Sequence, residues 1–166
     1  MTGTVLTPTA PWTGGGERPV IGYAVGTQGA ADRCAPSRTL STGVQYEGVG
    51  ITSLLSRGHA VVVTDYEGLG TPGAHTYMVR EAQAHAVLDA VRAAAQVSGS
   101  GVAATAPVAL AGYSQGGGAS AAAAELASEY APELDLKGAY VGAPPADLVP
   151  VSYTHLTLPT IYSVEI

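Results

Sequence analysis

Gly112-Tyr113-Ser114-Gln115-Gly116 sets one serine between two glycines, with an apolar run before it and a small-residue run after it. G-x-S-x-G at a strand-to-helix turn is where a nucleophile sits. The turn is so sharp that the serine backbone is strained. Side chains two residues before and after would collide, so Gly112 and Gly116 are required. The turn lifts Oγ above the carboxyl end of its strand, where open α/β sheets bind ligands. The following helix points its positive end at the same place. A serine held there can attack an acyl carbon, and the N–H of Gln115 can hold the resulting oxyanion. The plainer alternative is a glycine-rich loop that only packs a helix close to a sheet. A phosphate loop has no support, because G-K-[ST] is missing and no lysine is near.

The flanking segments supply the strand and the helix that this chemistry needs. PVALAGYS (107–114) reads as a buried strand, and GGGASAAAAELASEY (116–130) as a helix broken before Pro132. Upstream, residues 2–10 read as a strand fading into Pro11. A second strand, within 18–29, carries Val20, Ile21, Tyr23 and Val25 and ends in a Gly-Thr-Gln-Gly loop. Residues 48–58 form a helix stopped by Gly58. Residues 59–70 are a continuous apolar strand and a turn, the mark of a strand covered on both faces. Residues 76–101 are helical, with Val79, Ala82, Ala86, Ala90 and Ala94 at helical spacing and Gly99 ending the run. LKGAYVGAPPADL (136–148) is the last strand and its exit loop. Strand and helix alternate, so the fold class is α/β with a mostly parallel sheet and helices on both faces. The second oxyanion donor is expected from the loop after the 18–25 strand, at Gln28 or Gly29, with Gly29 preferred. The alternative there is an ordinary strand-ending turn.

Composition narrows the function classes. The chain has 166 residues and a net charge of -6, with no basic cluster to bind nucleic acid. No apolar run reaches the ~18 residues that span a bilayer, and no signal peptide is visible after Met1. No His/Cys/Asp set has metal-ligand spacing, and no cofactor is implied. Cys34 is the single cysteine and reads as a buried or half-buried thiol rather than a reactive one. Zero phenylalanine beside nine tyrosines fits a GC-rich coding sequence and carries no function.

Three segments together go further: GYAVGTQGAADRCAPS, RGHAVVVTDYEGLGTPGAHTYM, and GYSQGG continued through PELDLKGAYVGAPPADL. Over residues 3 to about 149 the chain resembles the secretory lipases of actinobacteria, in the same family as fungal lipase A. TDYEGLGTPG with GYSQGG is far more specific than the serine motif alone. The resemblance implies an α/β-hydrolase fold, a Ser-Asp-His triad, hydrolysis of carboxylic esters including triacylglycerols, and secretion. The partners it implies are a lipid or other ester substrate and transient contact with a lipid–water interface, with no defined protein partner. Cutinases share GYSQG and rank second; exopeptidases of the same fold rank third. From another class, a non-catalytic α/β domain that binds a lipid or a protein with its serine turn idle stays open.

The resemblance also raises a difficulty. In this fold the order is Ser, then Asp or Glu, then His. His59, His75 and His85 precede Ser114 and read as structural or surface residues. Asp65 and Glu67 also come too early, although Asp65, at a strand's carboxyl end, is a candidate pocket residue. Asp147 follows the last strand too soon. His155 falls in VSYTHLTLPTIYSVEI, which departs from the family after about Val149. One back-translation of Val151 to Thr160 reads as the end of a transposon-based sequencing adapter in frame. Residues 150–166 are therefore expected to be an unstructured tail foreign to the domain, and residues 1–149 a partial hydrolase domain lacking its last strands. On this reading the catalytic Asp and His are absent from this chain, the start is truncated as well, and Cys34 has lost its disulfide partner. Poor solubility is expected.

Overall fold

Every side chain of VIGYA and AVVVT except Tyr23 is buried, and these two segments form the centre of the sheet. The computed structural model describes residues 1–148. Its strands are β1 (Gly3–Leu6), β2 (Val20–Ala24), β3 (Ala60–Thr64), β4 (Pro107–Tyr113) and β5 (Asp135–Gly142), in the order β1-β3-β2-β4-β5. β1 runs antiparallel to β3; every other pairing is parallel. The expected tail, with His155, lies outside the described residues.

Four helices follow from the same sequence: α1 (Pro36–Ser41), α2 (Gly48–Ser56), α3 (Arg80–Gln96) and α4 (Gln115–Tyr130). α3 and α4 lie side by side on one face, where Val87, Leu88 and Val91 meet Val20 and Leu110 in the core. α2 packs on the other face through Ile51, and a Cβ at its Gly50 would stand 3.0 Å from Tyr23 Oη. The expected two-sided α/β layering is thus the observed one.

Element ends depart from expectation for local reasons. The first strand stops at Leu6 instead of running to residue 10, since Pro8 has no N–H for the ladder and Thr7 Oγ1 turns away to donate to Ser100 O. α3 is shorter than 76–101: Met78 sits at φ +60 before it, and Val97 is extended after it. α1 was not legible as a helix, although Pro36 at its first position favours one. β4 is not buried on both faces. Val108, Leu110 and Gly112 are covered, whereas Ala109 and Ala111 are half-covered and Tyr113 is exposed. β5 is exposed along most of its length.

Candidate active site

Ser114 joins β4 to α4 with φ +57 and ψ −122, a conformation that an L residue rarely adopts. The strain is held by close backbone packing. A Cβ on Gly112 would stand 2.2 Å from Gly116 O, and one on Gly116 would stand 1.9 Å from Ala24 O. One on Gly117 would stand 2.3 Å from Gly142 O. The glycines therefore do more than avoid each other: they bring the first turn of α4 onto the ends of β2 and β5. Ser114 N–H donates to Gly142 O at 2.9 Å, which ties the turn to β5. Gln115 is the first residue of α4, so its N–H has no acceptor within the helix. Ser114 itself is half-buried.

No described histidine serves Ser114, whose Oγ makes no hydrogen bond among the described residues. His59 lies beside Trp12, with ring centres 6.0 Å apart, and its Nδ1 is buried without a partner. His75 Nδ1 donates to Glu67 O at 2.9 Å. His85 stacks on Tyr130 at 3.7 Å. Asp65 is fully buried and committed elsewhere: it accepts Ser37 N–H at 2.7 Å, Ser37 Oγ at 2.6 Å and Thr2 Oγ1 at 2.5 Å. It thereby tethers the start of α1 to the end of β3. Glu67 and Asp147 are exposed.

The loop after β2 runs beside the serine turn. Gly26 is buried, and a Cβ there would stand 3.2 Å from Tyr113 O. Gln28 pairs its amide with that of Gln45 in both directions, at 2.6 and 3.0 Å. Gly29, at φ +116, faces the half-buried Cys34, whose Sγ would lie 2.8 Å from a Cβ at that position. No hydrogen bond joins Gly29 to the serine turn among the described residues.

Sequence reading missed Gln45 and Glu47. Gln45 is buried and Glu47 half-buried, while Val44 and Tyr46 between and beside them are 69% and 62% exposed. That inverted alternation, polar inward and apolar outward, was the available signal. Glu47 Oε1 accepts Gly26 N–H at 2.6 Å; Oε2 is buried without a hydrogen-bond partner. The carboxylate acts on three phenols, Tyr23, Tyr46 and the buried Tyr66. Burial, then Glu47, pushes Tyr46 up to about 12 and Tyr23 higher still. Among the described residues no three His, Cys, Asp or Glu side chains cluster to hold a metal ion, and no helix is long and apolar enough to cross a membrane.

The sequence pattern of the secretory lipases matches residues 34–155. The chain belongs to the secretory lipase family. A probable inactive lipase of Mycobacterium tuberculosis is 37% identical over 156 residues, 87% of this chain and 33% of that protein. A secreted triacylglycerol lipase of Malassezia globosa is 35% identical over 68% of this chain and 25% of its own length. Candida antarctica lipase A superposes with a TM-score of 0.75 at 29% identity, over 91% of this chain and 35% of that one. The fold is therefore part of an α/β-hydrolase, and this member of the family spans between a quarter and 35% of the length of these three relatives.

Proposed function

We propose that residues 1–149 are the nucleophile-bearing part of a secreted carboxylic ester hydrolase that acts on triacylglycerols through an acyl-serine on Ser114. The observation that carries the reading is the positive φ of Ser114 at the strand–helix turn, in a chain of this family. Backbone strain at a functional serine is retained where it aims Oγ. Oγ attacks the ester carbonyl carbon, and the oxyanion receives the N–H of Gln115 and a second N–H from the 26–29 loop, at Gly29. Collapse expels the alcohol and leaves the acyl group on Oγ; water then releases the acid and restores Ser114.

Ser114 needs a base, because a free hydroxyl is almost never deprotonated near neutral pH. His59 lies beside Trp12, and His75 and His85 are engaged elsewhere, so the reading assigns the acid and the histidine to parts of the whole protein outside the described residues. Without them the turn and its donors alone can leave ~10³–10⁴-fold catalysis over water. A second reading, an idle serine turn in a non-catalytic member, is favoured by the relative named an inactive lipase. Peptide mass spectrometry after exposure to a p-nitrophenyl alkanoate separates the two. The first reading predicts an acyl group on Ser114 that is missing from Ser114→Ala. No acyl-serine in the unsubstituted chain sinks it and favours the second.

A further inference from the structure

We infer that Glu47 and Tyr66 are positioning residues that clamp a single peptide unit and so aim the loop carrying the second oxyanion donor. The inference rests on the reading of Ser114 as nucleophile. The C=O of Val25 and the N–H of Gly26 are the two ends of one planar peptide group. Tyr66 Oη donates to Val25 O at 2.7 Å, and Gly26 N–H donates to Glu47 Oε1 at 2.6 Å. Fixing both ends fixes the plane, and with it the direction in which Thr27, Gln28 and Gly29 leave the sheet.

Each jaw comes from a different loop, and each occupies a costly position. Tyr66 is fully buried and sits at φ +61, where a bulky side chain is seldom found. Glu47 brings a carboxylate into a half-buried site, which is costly unless the carboxylate is hydrogen-bonded, and Gly26 N–H supplies such a bond. The neighbourhood leaves the peptide little room. A Cβ at Gly26 would stand 2.7 Å from Tyr46 Oη and 3.2 Å from both Glu47 Oε1 and Tyr113 O, the carbonyl just before Ser114. Gln45, two residues before Glu47, fixes Gln28 by the reciprocal amide pair and is itself tied to Thr39 Oγ1 at 3.0 Å. The clamp also decides which amides are free. Glu47 takes the N–H of Gly26, so an oxyanion must be met by the amides after it.

The test compares the full chain with Glu47→Ala, which removes the acceptor, and Glu47→Gln, which keeps an oxygen for Gly26 N–H. Two readouts are taken beside a thermal melt. One is amide hydrogen exchange at residues 27–29. The other is titration with a short alkylboronic acid followed by boron NMR. The boronic acid adds Ser114 Oγ to boron and releases one proton, giving a tetrahedral anion that mimics the oxyanion. With the melting temperature little changed, Glu47→Ala is expected to speed exchange at 27–29 and to weaken adduct formation about tenfold or more, while Glu47→Gln stays near wild type. Unchanged exchange or unchanged adduct affinity in Glu47→Ala overturns the clamp. A wild-type chain that forms no tetrahedral adduct, or an adduct that survives Ser114→Ala, overturns the reading of Ser114 and the inference with it, which is a different result from the first.

Discussion

Ser114 is worth more to chemistry than to folding. Its φ of +57 with ψ −122 costs an L residue about 1–3 kcal/mol, and glycine tolerates it far better. Ser114→Gly is therefore expected to stabilise the chain by about 1 kcal/mol in denaturant unfolding while removing the acyl-serine step. A less stable variant would mean that the turn is not strained. At this scale the sequence was informative where chemistry demands one residue type. Gly112 and Gly116 could be read as required because no other residue fits, although their contact with Ala24 O depends on a neighbouring strand and could not be foreseen. Glu47 could not be assigned a role, because its partner, Gly26, is brought to it only by the fold.

At the scale of elements, α3 is braced to the end of α4 by one arginine. Arg92 donates to Glu133, to Asp89 Oδ1 at 3.0 Å and to Tyr130 O at 2.5 Å, and its guanidinium lies 4.8 Å from the Tyr130 ring centre. The hydrogen bond from Arg92 holds the Glu133 carboxyl below its usual value. The native state therefore binds fewer protons at this group than the unfolded chain. Its contribution is present above the ordinary glutamate pKa of about 4.3 and is lost as the pH falls below it. Glu133 is exposed, so the effect is small and screened by salt. Melts of Glu133→Gln should fall slightly below wild type at neutral pH and converge with it as the pH falls through the lowered carboxyl range. A constant gap would contradict the pairing. Elements were legible where burial is two-sided: AVVVT could only be a covered strand. β4 was misjudged because PVALAGY is apolar at every position, and only its neighbours decide that Ala109, Ala111 and Tyr113 face an open side.

At the scale of the whole molecule, the sheet has two edges and one thinly covered face among the described residues. β5 has no strand beyond it there, and Tyr113 and Tyr140 are 56% and 67% exposed on the same face as Tyr46 and Val49. Exposed aromatic faces next to an unpaired edge favour self-association. Light scattering after size exclusion should therefore find this chain associated or poorly soluble, more so as salt screens its net charge of -6. A monodisperse monomer with a cooperative melt would contradict this. The α/β class and the resemblance to secretory lipases were legible from a few segments. The extent of the open face was not, since it depends on what packs over the sheet.

The central claim is that Ser114 is a nucleophile, and covalent capture tests it most directly. The protein, its Ser114→Ala variant and the urea-unfolded chain would each be treated with an organophosphonate and mapped by peptide mass spectrometry. With no described histidine to activate Ser114, the account predicts a slow adduct there, formed faster in the folded protein than at any other serine or in the unfolded chain, and missing from the variant. An unlabelled Ser114, or labelling no greater than at the other serines, would contradict it and leave the turn a structural one.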